Sequence, residues 1–340
     1  MPDVKKLMND PNTIVEESIA GMLLAYPGYY QKHVEKNVLY RLPNQKKVSL
    51  VSGGGSGHEP MVAGLIGDRM LSAAALGNVF ASPDPQTILA AMESVNSEAG
   101  ILNLVWNYAG DCMNFDTAAE FAEMKGLKVD TVIINDDIAS APKERKEERR
   151  GVAGILLIAK IAGAAADRGD TLEQVKAVAQ AANDNTKTIG IALSACSIPG
   201  KPQNFEIAEG KFEYGMGIHG EPGIKSETFK EAKAIVQDMM DDLIEEFGLD
   251  NLQKNEVIVL VNGMAATTSL ELFLINQAVR GYLAEKEINV YDNIVGKYCT
   301  SLEMAGISVS LMMLNEERKA LYDVPAVTPF YSRFVGGVGK

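Results

Sequence analysis

Directly after the apolar run Val48 to Val51 stands Ser52-Gly53-Gly54-Gly55-Ser56-Gly57-His58-Glu59-Pro60, with four glycines within five positions and then an imidazole. Without Cβ atoms such a segment turns sharply and approaches a small molecule closely. Its spacing excludes the two common phosphate-binding patterns. No lysine follows as G-x-x-x-x-G-K-[ST] requires, and G-x-G-x-x-G is broken because His58 lies three residues after Gly55. The segment therefore reads as a strand-to-helix turn that sets His58 beside a small ligand, with glycine amides as donors. An ordinary turn carrying a surface histidine is the competing interpretation.

Composition narrows what the ligand and partners are. A chain of 340 residues, 46% hydrophobic and 23% charged, has material for one or two cores. A formal charge of −13 argues against a nucleic-acid surface and against holding a nucleotide triphosphate unaided. The mixed run Lys143 to Arg150 reads as a solvated face or loop. Cys112, Cys196 and Cys299 form neither a C-x-x-C pair nor a bridging framework, which points to a reducing cytoplasm. Residues 1 to 10 contain no apolar stretch of the secretory kind, and Gly151 to Ala166 is broken by Lys160, so no membrane span is expected.

Apolar spacing predicts helices over Asn12 to Ala25, Pro85 to Ser97, Phe115 to Lys125, Gly151 to Arg168, Leu172 to Ala182, Ser226 to Phe247 and Ser269 to Ala284. Strands are predicted at Val48 to Ser52, Ile101 to Trp106, Val129 to Asn135, Thr188 to Ala195, Glu256 to Val261, Val290 to Gly296 and Ile307 to Leu314, with a turn at Asn262-Gly263. Alternation of strand and helix implies an α/β fold in two domains, 1–184 and 185–340, each with a mixed or mostly parallel sheet flanked by helices. In such sheets ligands sit outside the carboxyl ends of the strands. The polar clusters Gly53 to His58, Asn107 to Asp111 and Asp136-Asp137 all fall there.

Of three histidines, His58 and His219 both lie in glycine-rich segments beside a Glu-Pro pair, which favours a shared site. His33, in a charged segment, is read as structural. Asp111 follows the strand Ile101 to Val105, where a partly desolvated carboxylate serves as a general base toward a hydroxyl. As a helix cap it is less apt than Asp116. Asp136 and Asp137 are weaker candidates, since paired acids after a strand commonly form a solvated turn or a cap. No two of His58, His219, Asp111 and the cysteines stand at ligand spacing within one element, so no metal site is predicted.

Six motifs together resemble the K subunit of dihydroxyacetone kinase, the substrate-binding DhaK family. They are Ser52 to Pro60, Asn107-Tyr-x-Gly-Asp111, Arg149-Arg-Gly-Val-Ala153, Gly190-Ile-Ala-Leu193, Gly215-x-Gly-Ile-His-Gly-Glu-Pro-Gly223 and Tyr298-Cys-Thr-Ser-Leu302, in order along nearly the whole chain. The resemblance implies a small-ketose kinase subunit in which His219 holds the ketone as a hemiaminal. In it Asp111 takes the proton of the substrate hydroxyl, His58 hydrogen-bonds the substrate, and Gly54 and Gly55 line its site. It implies a homodimer, and no cofactor on this chain. ADP or ATP with magnesium is expected on a separate L-type subunit, recharged in the bacterial arrangement by a phosphotransferase-system protein. One position departs from the family: Trp106 stands where a substrate-contacting lysine is usual, and an indole offers a single N–H donor. That substitution admits two alternatives, a kinase subunit for another ketose such as erythrulose, or a DhaK-like coactivator that senses dihydroxyacetone and activates a transcription regulator.

Overall fold

The computed structural model describes residues 5–203, 205–221 and 223–334. Pro222 of the His219 motif and the tail after Phe334 lie outside them. Two six-stranded sheets flanked by helices make the α/β architecture. The first contains β1 (Gln31–Lys32), β2 (Val38–Tyr40), β3 (Ser49–Ser56), β4 (Ala73–Val79), β5 (Ile101–Trp106) and β6 (Val129–Ile134). Their order is β1-β2-β4-β3-β5-β6, parallel from β4 through β6 and antiparallel at the β1-β2 edge. The second contains β7 (Thr186–Ala192), β8 (Lys211–Tyr214), β9 (Lys225–Thr228), β10 (Glu256–Gly263), β11 (Asn289–Gly296) and β12 (Gly306–Met313). Its order is β11-β10-β12-β7-β8-β9, with only the β10/β11 pair parallel.

The helices are α1 (Ile14–Ala25), α2 (Pro85–Ser94), α3 (Ala109–Met124), α4 (Ile155–Arg168), α5 (Leu172–Asp184), α6 (Ala232–Phe247), α7 (Leu249–Gln253), α8 (Ser269–Glu285) and α9 (Glu316–Asp323). Every residue of α4 from Ile155 to Ala166 is buried. Its side chains share one apolar cluster with Leu50, Leu102 and Leu104 of the first sheet and Ile258, Leu260 and Met312 of the second. That burial explains why α4 reads as hydrophobic all round. Its Lys160 is covered completely and donates to the carbonyl of Leu321 at 2.7 Å, and burial pushes its ammonium down to about 7. No described helix is long and apolar enough to cross a membrane.

Several local expectations are corrected. Gly53 to Gly55 belong to β3 rather than to a turn, because β4 runs alongside and pairs with Gly53, Gly54 and Ser56, with an irregularity at Gly55. A Cβ on Gly53 would come within 2.6 Å of the Ala75 carbonyl oxygen, and one on Gly55 within 2.7 Å of the Ala81 nitrogen. β4 itself, rich in alanine, carries little strand propensity. Helix α3 begins six residues before Phe115, so Asp111 sits in its first turn and Asp116 is not its cap. Residues 225–228 form β9, paired with β8, and α6 starts only at Ala232. Asn262-Gly263 continues β10: the Asn262 amide donates to the Cys299 carbonyl and Ser308 hydroxyl, and its oxygen accepts from Tyr298 and Cys299. These four bonds hold it in the strand.

Candidate active site

The site gathers at the carboxyl ends of β3 and β5, where His58, Trp106 and Asp111 meet the segment Gly215 to Glu221 that follows β8. The chain leaves β3 at Ser56 and buries His58 completely. Three bonds from a distant segment fasten this turn: Leu302 N–H to Gly57 O at 2.8 Å, Thr300 N–H to His58 O at 3.3 Å, and Thr300 Oγ1 to Glu59 O at 2.8 Å. Nδ1 of His58 lies 2.8 Å from the Thr300 carbonyl oxygen. A carbonyl only accepts, so Nδ1 carries the proton and Nε2 of the neutral ring holds the lone pair. Burial, reinforced by neighbouring His219, pushes this imidazole down to about 3. Phe80 stacks on it at a centroid distance of 5.0 Å.

His58 Nε2 faces His219 Nε2 at 3.0 Å. Nδ1 of His219 lies 2.7 Å from Oε1 of Glu221, whose Oε2 accepts the His219 backbone N–H at 2.9 Å. Burial works against ionising Glu221, but the hydrogen bond from His219 and that ring's charge hold its carboxyl at about 2. His219 thus has an acceptor at each ring nitrogen, and one proton lies between the two histidines. The rings of Phe80 and Tyr108 meet His219 edge-on at 5.1 and 4.8 Å.

Asp111 is 7% exposed, and its Oδ1 has no hydrogen-bond partner among the described residues. Burial, opposed by a hydrogen bond with Ser82, pushes its carboxyl up to about 6. A carboxylate so tuned is a competent base near neutral pH. Gly54 lies beside it, with its missing Cβ pointing at the Trp106 ring at 3.1 Å and at Asp111 Oδ1 at 4.0 Å. Trp106 is buried and edge-on to His58 at 5.7 Å. Its N–H donates to the Val152 carbonyl at 3.3 Å, so the ring and not the donor faces the site.

The remaining candidates have other parts. Asp136 is buried, not a solvated turn: it accepts from the amides of Val152 and Gly154 and from the Thr188 hydroxyl, which delays the start of α4 to Ile155. Asp137 is buried against Arg150, with Oδ2 2.9 Å from Nε. The run Lys143 to Arg150 is solvated only in part, since Arg149 turns inward and grips Glu246 with two bonds of 2.8 and 3.0 Å. His33 Nδ1 accepts from the amides of Glu35 and Lys36, away from the site. Among the described residues no group of three or more His, Cys, Asp or Glu could hold a metal ion.

Sequence reasoning missed Phe80, Tyr108, Glu221, Arg150 and Thr300. All but Phe80 stand inside motifs already singled out, and for Tyr108 and Glu221 proximity to Asp111 and His219 was the available signal. The Tyr108 hydroxyl is buried without a hydrogen-bond partner among the described residues.

An α/β chain with two hydrogen-bonded histidines and a buried, unpartnered carboxylate oxygen at its strand ends has the make-up of a small polar-molecule site. The Dak1 domain family matches residues 20–330, and the chain belongs to it. It is 41% identical over 334 residues to the dihydroxyacetone-binding subunit DhaK of PTS-dependent dihydroxyacetone kinase 2 from Listeria innocua, covering 96% of this chain and 99% of that one. Among solved structures it is similar to the dihydroxyacetone kinase of C. freundii in its native form, with a TM-score of 0.88 and 33% identity over 97% of this chain and 60% of that one. It is also similar to the dihydroxyacetone kinase operon co-activator DhaQ, with a TM-score of 0.86 and 33% identity over 92% and 96% of the two chains.

Proposed function

We propose that this chain is the substrate-binding subunit of a dihydroxyacetone kinase, holding the ketone covalently on His219 while its hydroxyl is phosphorylated. The observation that carries the reading is the His58–His219 pair with Glu221 behind it. Nε2 of His219 passes its proton to Nε2 of His58 and adds to the carbonyl carbon, and His58 passes that proton on to the carbonyl oxygen. Nδ1 keeps its own proton, so the ring of the hemiaminal is cationic and the Glu221 carboxylate balances it. Covalent capture orients a substrate too small to be held well otherwise. Asp111 then accepts the proton of the primary hydroxyl as that oxygen attacks phosphorus. Trp106 and Phe80 wall the site.

In this reading the unit 1–184 supplies His58 and Asp111, and the unit 185–340 supplies His219. The chain works as a cytoplasmic homodimer, and a separate L-type subunit brings ADP or ATP with magnesium. Support for a donor on a partner comes from the relative's name as one subunit of a PTS-dependent kinase. A second reading, a ligand-sensing coactivator of a transcription regulator, is favoured by the likeness to the operon co-activator. The two part at the partner. Phosphoryl transfer by this chain mixed with a charged L-type subunit, offered dihydroxyacetone, erythrulose and glycerol in parallel, decides between them. Transfer to a ketose and not to glycerol is expected, and the preferred ketose identifies the acceptor. No transfer from protein that still binds ketose, with a partner active on another K subunit, moves the assignment to the coactivator.

A further inference from the structure

Behind His219 and Glu221 stands a guanidinium to which the capture step above gives no part. Arg150 follows the buried Arg149, and its side chain is 11% exposed. Nε and Nη2 lie 2.9 and 2.8 Å from Oδ2 of Asp137, and Nη2 also donates to the Gly215 carbonyl at 2.8 Å. Its backbone is fixed too: the amide donates to the Ser140 hydroxyl and the carbonyl accepts from the Asp137 amide. The remaining nitrogen, Nη1, stands 4.0 Å from Oε2 of Glu221.

Gly217 marks the same contact independently. A Cβ there would lie 2.1 Å from Glu221 Oε2 and 2.4 Å from Arg150 Nη1. The loop omits a side chain at the point where the carboxylate and the guanidinium approach each other. A cation fixed on one side by Asp137 therefore presents its free edge to the carboxylate that His219 needs.

Burial alone would drive Glu221 toward its neutral form. A neutral acid at that place could donate to Nδ1 as readily as accept, and the tautomer of His219 would no longer be set. In catalytic triads a buried carboxylate holds the histidine in one tautomer, and loss of its charge is costly although the geometry survives.

Resting on the covalent reading above, we infer that Arg150 is a positioning residue for the capture step: anchored by Asp137 and the Gly215 carbonyl, it keeps Glu221 ionised and aimed at Nδ1 of His219, so that Nε2 is the nitrogen that meets the ketone. Arg150 touches no reacting atom and acts through Glu221 alone.

The chain has only three histidines, so the ring nitrogens of His219 can be followed by ¹⁵N NMR. Capture can be followed in parallel with dihydroxyacetone labelled with ¹³C at its ketone carbon, which becomes tetrahedral when the hemiaminal forms. In the full-length parent, Nδ1 of His219 should carry its proton in a single state. Arg150→Gln should give a mixture of tautomers and weaken capture by about tenfold or more, the scale of a hydrogen bond to a charged group. Turnover at saturating ketose should be far less affected, since Asp111 is untouched. Glu221→Gln should reproduce both changes, and the double variant should add nothing further.

Arg150→Lys keeps the charge without the fork and should recover part of the loss. Should Arg150→Gln fail to fold, Gly217→Ala drives a methyl between the pair and should mix the tautomers in the same way. Unchanged protonation of Nδ1 with capture within twofold of the parent overturns the inference, as does full additivity of the Arg150 and Glu221 substitutions. A parent that forms no tetrahedral carbon overturns the covalent reading instead, and the ¹⁵N comparison of the ligand-free proteins then still decides the place of Arg150.

Discussion

Nε2 of His58 and Nε2 of His219 stand 3.0 Å apart, closer than a ketone captured between them would allow. In the proposed capture the carbonyl group takes the place between these two nitrogens that their mutual hydrogen bond now fills. On that proposal, entry of a ketone exchanges one hydrogen bond for a covalent bond and a new hydrogen bond, and the segment carrying His219 has to draw back to admit it.

His58 gives the fold a pH dependence of definite sign. Its pKa falls from 6.5 to about 3 on burial, so between those values the unfolded chain takes up a proton that the folded chain refuses. Its contribution to stability is complete above pH 6.5 and is lost as the pH falls toward 3, by ~5 kcal/mol at most. His58→Gln should remove this component, and denaturant unfolding of both proteins at several pH values between 7 and 4 measures it. Parallel curves would sink the assignment of a buried neutral ring.

Asp111 behaves in the opposite way. With a carboxyl raised from 3.8 to about 6, it is a buried charge at neutral pH, costing ~3 kcal/mol, and a neutral acid in both states below pH 3.8, where that cost vanishes. Asp111→Asn should be more stable than the parent at pH 7, with the gap closing on acidification. Capture should survive while transfer falls by about 10²–10⁴, the usual worth of a general base. In the parent, transfer should decline as the pH drops through 6. Near-normal turnover of the variant with an L-type partner would show that another group is the base.

His219→Ala removes the nucleophile from a loop whose path is held by Gly215 and Glu221. The fold should persist by circular dichroism, and the tetrahedral carbon of bound dihydroxyacetone should disappear. Undiminished ketone binding by this variant would falsify the hemiaminal.

Trp106 poses a sharper question, because its N–H is occupied by Val152. Trp106→Phe should cost about 1–2 kcal/mol from the lost bond and the small void. It should leave the preference between dihydroxyacetone and erythrulose unchanged, as judged by competitive capture. A changed preference would show that the indole itself shapes the choice of ketose.

The α/β class and the order of the long helices were legible because amphipathic spacing and short apolar runs suffice to specify them. The glycine run looked like a turn, since nothing in it announces β4 as a neighbour, and β4 is built from alanines that fit a crowded sheet centre without favouring a strand locally. The candidate residues His58, Asp111 and His219 were readable from their glycine and strand-end context. Arg150 entered only as a member of the Arg149 to Ala153 motif, with no part assigned to it: at the end of a charged run it looks like more surface, and only the fold shows that it closes on Asp137 and Gly215. The partner of the Trp106 donor was not legible either, because it is a carbonyl 46 residues away.

The proton position on His58 depends on the carbonyl oxygen of residue 300, not on any side chain there. Substituting Thr300 alters its hydroxyl bond to Glu59 and leaves that oxygen in place. A survey of side-chain replacements across the chain would thus pass over position 300, although it sets the protonation of a buried histidine 242 residues away. That setting is inherited from the route of the backbone, and it fails only when the route itself is changed.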